Sequence, residues 1–184
     1  MRSTLEISVV AVMTATCVAT NYLLVGVVNV KVMDLIVFVC GVSFGAVVGS
    51  SVGALTWLVY GTINPYGFSL PVLVSTCLGE TIYGLAGGGL RRLGFDSSDR
   101  VKARLAGGIK FALIGFLLTT VYDLLTNLAS ALSLGLPILP VMVAGIPFAA
   151  VHEVSNAAFF FVGVVPLVAV MRRIQLDQNQ VFRK

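Results

Sequence analysis

The chain has 184 residues, 58% of them hydrophobic and only 11% charged, with 12 Lys+Arg against 8 Asp+Glu. A soluble domain carries roughly 25% charged residues, so this composition excludes both a soluble globular protein and a disordered chain. Transmembrane helices of ~20 residues each plus tight loops use up the length and leave no room for a soluble catalytic or nucleotide-binding domain. The net charge of +4 sits in basic clusters between apolar runs, the positive-inside pattern of a membrane protein rather than a nucleic-acid surface.

The first predicted span covers residues 7–28. It is too long, and lacks the small-residue cleavage site, for a cleavable signal peptide. Ala11, Ala15 and Ala19 recur on it every fourth residue. That makes a flat stripe where another helix backbone can approach closely, either within this chain or on another membrane subunit. Asn29 and Lys31 mark its end. Val32 to Tyr60 follows with Asp34 as its only charge. It is long for one helix even when tilted and short for two, so the count is five or six spans. Gly41, Gly45, Gly49 and Gly53 punctuate it and predict close internal packing. Gly61 to Gly67 is a loop by its Gly and Asn-Pro content.

The run 68–90 carries Glu80, expected to be a structural acid bonded to Thr or Tyr hydroxyls. Arg91, Arg92, Arg100, Lys102 and Arg104 make 91–104 a cytoplasmic basic loop. The span 105–132 carries Lys110, which can snorkel, and Asp123 and Asn127. Pro137, Pro140 and Pro147 predict a broken connection, placing the last span at 147–171. It carries His152, Glu153 and Asn156 and closes on Arg172-Arg173, followed by a polar cytoplasmic tail, 174–184. The positive-inside rule fits five spans and six equally well.

Ionisable groups within a span cost some ~2.5–3.5 kcal/mol each on insertion scales, so they default to functional candidates. Asp123 and Asn127 are i,i+4 and share a face, as do His152 and Asn156 on the next helix. With antiparallel helices all four fall at similar depth, as a polar clamp between helices or as the wall of a cavity that Glu153 joins. Asp34, Trp57, Tyr60, Asn64 and Tyr66 are expected toward its mouth. Aromatic faces with a few convergent polar groups suit a small organic molecule. The sequence has no G-x-x-x-x-G-K-[ST] and no H-E-x-x-H, so neither an ATP site nor an enzyme is expected. No cofactor is expected either. Cys17, Cys40 and Cys77 lie apart in apolar runs as small buried hydrophobes. One His cannot build a nitrogen-rich metal site. Lys31 is the only basic residue near the outer acids, so a polycarboxylate ligand is disfavoured and a neutral or cationic vitamin-like molecule is expected.

Four stretches carry a resemblance. They are the Ala11/Ala15/Ala19 stripe, "NVKVMDLIVFVCGVSFGAVVGSSVGALTWLVY" from Asn29 to Tyr60, "VYDLLTN" from Val121 to Asn127, and "GIPFAAVHEVSNAAFF" from Gly145 to Phe160. In order and spacing they resemble the substrate-binding S component of energy-coupling factor (ECF) vitamin transporters, over nearly the whole chain. The resemblance implies an all-α membrane protein, a compact bundle of six transmembrane helices with both termini cytoplasmic. The second and third spans, 32–44 and 45–60, would turn at Phe44-Gly45. It further implies a micronutrient-binding subunit of an ABC importer in a prokaryotic plasma membrane. The alanines would dock on a transmembrane coupling subunit, and two cytoplasmic ATPase subunits would supply the energy. The alternative from another class is a stand-alone secondary transporter or channel using Asp123, Glu153 or Glu80 as a proton relay, for which no internal repeat is found.

Overall fold

The computed structural model describes the backbone of residues 2–65, 67–94 and 101–181 and the side chains of 4–65, 67–94 and 107–175. Tyr66, much of the 91–104 loop and most of the 174–184 tail therefore lie outside the described residues, wholly or for their side chains. Six helices follow in order: α1 (Arg2–Leu23), α2 (Met33–Phe44), α3 (Ala46–Thr62), α4 (Leu70–Arg92), α5 (Val101–Leu134) and α6 (Ile138–Val181). No strand occurs among the described residues. Stretches of α1, α4, α5 and α6 are long and apolar enough to cross a membrane, while α2 and α3 are shorter apolar helices. Leucines such as Leu113, Leu117, Leu124 and Leu139 face outward, while Asp34, Glu80, His152 and Asn156 are buried. This inversion of the soluble pattern is that of a membrane-embedded helical bundle.

Helix ends differ from the sequence reading in several places: α5 begins at Val101, inside the expected 91–104 loop, and α6 runs on to Val181, through most of the expected 174–184 tail. α1 stops at Leu23, and Leu24, Val25, Val27 and Val28 instead line a cavity. The prolines at 140 and 147 do not delay the last helix. α6 begins at Ile138 and runs through Pro147 and Pro166. A proline in the first turn removes no needed hydrogen bond, which accounts for Pro140. At ~1.5 Å per residue, the 44 residues of α6 span about 66 Å, more than twice the ~30 Å of a hydrocarbon core.

Between α2 and α3 the chain reverses on a single residue. Gly45 adopts φ 105° and ψ 166°, a region open essentially to glycine, and its N–H donates to the Gly41 carbonyl (2.9 Å). The two helices then run back against each other. A Cβ on Gly49 would lie 2.7 Å from the Gly41 Cα. α4 lies across both through glycines. A Cβ on Gly84 would land on the Ser50 nitrogen, and one on Gly87 on the Phe38 carbonyl. Arg91 and Gln175 donate to the Ser43 carbonyl (2.8 and 2.9 Å), tying the α2–α3 turn to the ends of α4 and α6. Tyr22 donates to the Ile63 carbonyl (2.9 Å) at the opposite end of α3.

The packing predicts a contrast within one helix. Gly84→Ala is expected to lower stability by ~1–3 kcal/mol, because the backbone of α3 must move. Gly89→Ala meets nothing within 4 Å and is expected to be neutral or slightly stabilising. Thermal melts of the two purified variants decide. Equal loss in both would mean that backbone contact at Gly84 is not what holds α3 on α4.

Candidate ligand site

Asp34 stands in the first turn of α2, where the helix dipole favours a negative charge. His152 reaches it from α6, and Asp123 approaches from α5. The His152 Nε2 is 2.8 Å from Asp34 Oδ2 and its Nδ1 is 2.9 Å from Asp123 Oδ1. Asn156, one turn further along α6, donates to the same Asp34 oxygen and to Thr119 Oγ1. Thr119 also accepts from the Tyr83 hydroxyl (2.9 Å) and donates to the Gly115 carbonyl (2.8 Å). His152 and Asp34 are each 1% exposed and Asn156 0%. An ionised carboxylate only accepts. An imidazole between two of them is satisfied as the imidazolium donating twice, or with one proton moved onto a carboxyl. Either way both ring nitrogens are engaged, leaving neither open as a metal ligand. Among the described residues no group of three His, Cys, Asp or Glu is placed to hold a metal ion.

Glu80, 0% exposed, forms a second buried centre on α4. Its partner is not the Thr or Tyr hydroxyl expected from sequence but the Trp57 indole, which donates to Oε2 (3.3 Å). Gly53 makes this possible, since a Cβ there would lie 2.7 Å from the Glu80 Cγ. Gly79 does the same for Tyr122 and Gly145 for Asn127.

Two cavities open beside these centres. The larger, about 450 Å³, is lined by Asn21, Asn29, Lys31, Trp57, Tyr60, Asn64 and Phe148, with aliphatic residues of the segment after α1. The smaller, about 210 Å³, is lined by Lys31, Trp57, Tyr122, Asp123, Asn127 and His152, among others. Asn29, at φ 53°, donates through Nδ2 to the Phe148 carbonyl (3.0 Å). That bond fastens the α1–α2 segment to α6. Asparagine is among the few residues other than glycine that tolerate this conformation.

Of the candidates read from sequence, Trp57, Tyr60 and Asn64 line the larger cavity, and Asp123, Asn127 and His152 the smaller. Asp34, expected at the mouth, lies deep, and with Asn156 it holds His152 from behind. Glu153 is half-buried and outside the lining of both cavities. Tyr66 lies outside the described residues. Sequence reasoning passed over Asn21, Asn29, Lys31, Tyr122 and Phe148. In the sequence Lys31 marks the end of a span and is the only basic residue near the outer acids; the structure adds that its ammonium lies 4.3 Å from the Trp57 ring centre and 5.6 Å from that of Tyr122.

Removing His152 leaves two buried carboxylates facing each other. His152→Leu is therefore expected to cost ~3–5 kcal/mol, read as a large fall in melting temperature. The triple replacement of Asp34, Asp123 and His152 by Asn, Asn and Leu should recover much of it. A His152→Leu protein as stable as wild type would show that the two carboxylates are protonated and need no partner. No protein-family model, curated protein or solved structure matches this chain, and the two cavities around Lys31 and Trp57 stand as its candidate site.

Proposed function

We propose that this chain is the substrate-binding S component of an ECF-type ABC importer. It captures a vitamin or vitamin precursor outside the cell and passes it on through a transmembrane coupling subunit driven by two cytoplasmic ATPase subunits. The observation that carries this is the larger cavity, about 450 Å³ and walled by aromatic rings and amide side chains at one end of a membrane bundle. Pockets of this size and lining take small organic molecules. The ordered resemblance over nearly the whole chain gives further support. So does the α1 stripe, since Ala11, Ala15 and Ala19 are all exposed.

In this function the α2–α3 hairpin supplies two of six spans, and both termini lie in the cytoplasm of a prokaryotic cell. The chain does no enzymatic work and holds no cofactor. Its ligand is neutral or cationic, because Lys31 is the one Lys or Arg in the described lining of the two cavities, too little to pair a polycarboxylate. One observation favours a second function. The hydrogen-bonded series Asp34–His152–Asp123 is a chain along which a proton could move in a stand-alone secondary transporter.

Dependence of uptake on ATP separates the two. The small molecule that co-purifies with the protein, identified by mass spectrometry, serves as the transported compound. Its uptake should require ATP and the ATPase subunits, and uptake driven by a proton gradient alone would establish the second function. Ala15→Trp should abolish uptake by blocking close helix approach while binding to the purified chain survives. Loss of binding as well would place the stripe within this protein's own packing. Cysteines introduced at positions 2 and 180 should both resist labelling from outside. Labelling at position 2 alone would mean five spans.

A further inference from the structure

Lys31 is the one charged side chain that lines both cavities. No carboxylate pairs with it, because the ion pairs among the described residues are the two made by His152. Its ammonium rests instead against ring faces, 4.3 Å from the centre of Trp57 and 5.6 Å from that of Tyr122. Both distances fall within the ~6 Å over which a ring face attracts a cation. The two rings are stacked, 6.3 Å apart and 29° from parallel, and Tyr60 closes on Trp57 edge-on at 5.5 Å. This is an aromatic box with a cation in it.

The occupant suits the box poorly. An ammonium carries three N–H donors that need acceptors, and a ring face supplies only charge. A ring-nitrogen or quaternary cation has the charge without the donors, which is why aromatic boxes recognise such groups. The surroundings also fix the sign. Asp34, Asp123 and Glu80 all pull on the Lys31 charge. An anion placed here would lie beside Asp34 and Asp123, whose charge His152 and Lys31 already offset. One cation replacing another leaves the balance unchanged. A direction for the rest of the ligand comes from Asp123, 7% exposed, whose Oδ2 is buried with no protein partner. An N–H on the incoming molecule can donate to it.

We infer that the faces of Trp57 and Tyr122 are the seat of a singly charged nitrogen-heterocyclic cation on the ligand, and that Lys31 is a tethered competitor for that seat. The inference rests on the cavities being a ligand site. Lys31 and Trp57 line both of them, together with Asn29 and Phe148.

Three probes with one ring and three charges test it: 1-methylnicotinamide (+1), nicotinamide (0) and nicotinate (−1), titrated calorimetrically into the purified full chain at pH 7. Wild type should bind the cation best and the anion least. Lys31→Met keeps the stem and removes the competing charge, and should tighten the cation at least tenfold with little change for the neutral ring. The wild-type order of affinities tests the seat even if that variant fails to fold. Tightest binding of nicotinate, loss of cation binding in Lys31→Met, or no binding of any probe overturns the inference. Uptake assays keep the two conclusions apart. Cation binding with ATP-independent uptake leaves the seat standing and rejects the importer, whereas ATP-driven uptake with nicotinate bound best does the reverse.

Discussion

His152 sits between two carboxylates from two different helices, and buried as they are neither carboxylate is stable alone. The desolvation of an isolated buried charge runs to several kcal/mol, so Asp34, Asp123 and His152 are placed together or not at all. Asp34 belongs to α2, Asp123 to α5 and His152 to α6. The three-way contact therefore sets where the short α2 stands against the long α5–α6 pair. Asn156 and Thr119 extend it one turn deeper, giving Asp34 a second donor and linking to Tyr83 on α4. Four of the six helices meet in one polar network.

Around this network the packing is made by absence of side chains. Gly41, Gly49, Gly84, Gly87 and Gly88 let α2, α3 and α4 touch backbone to backbone. Without a hydrophobic drive between helices in lipid, such contacts are what association depends on. The same device shapes the site. Gly53 leaves space for Glu80, Gly79 for Tyr122 and Gly145 for Asn127. Large polar and aromatic side chains thus converge at one end of the bundle without forcing the helices apart. Local choices of glycine and the position of the cavity are one design.

The two ends of the molecule are chemically distinct. At one, Trp57, Tyr60, Lys31 and a set of asparagines surround open space. At the other, Arg91 and Gln175 clasp the α2–α3 turn at the Ser43 carbonyl. A side chain such as Asn29, bonded to the Phe148 carbonyl, ties a non-helical segment over the first end. That segment carries Lys31 into the site, which gives the described lining of the larger cavity its one charged side chain.

Hydropathy along the chain determined that this is a helical membrane protein, because continuous apolar runs of this length satisfy their backbone in lipid as helices, whereas barrel strands alternate apolar and polar residues. Helical spacing also brought Asp123 with His152 as residues of adjacent faces, since i,i+4 relations are local geometry. The turn at Gly45 was marked by the Phe-Gly pair but not forced by it. A positive φ at a glycine is permitted everywhere and required only where the chain must reverse. The depth of Asp34, the Glu80–Trp57 bond and the place of Lys31 were decided by tertiary structure alone. Each depends on a partner between 23 and 118 positions away or on a ring brought in by another helix, and no local pattern encodes which distant group will be there. Lys31 shows this most plainly. In the sequence it is a charge that ends an apolar run, and only the fold places two aromatic faces beside it.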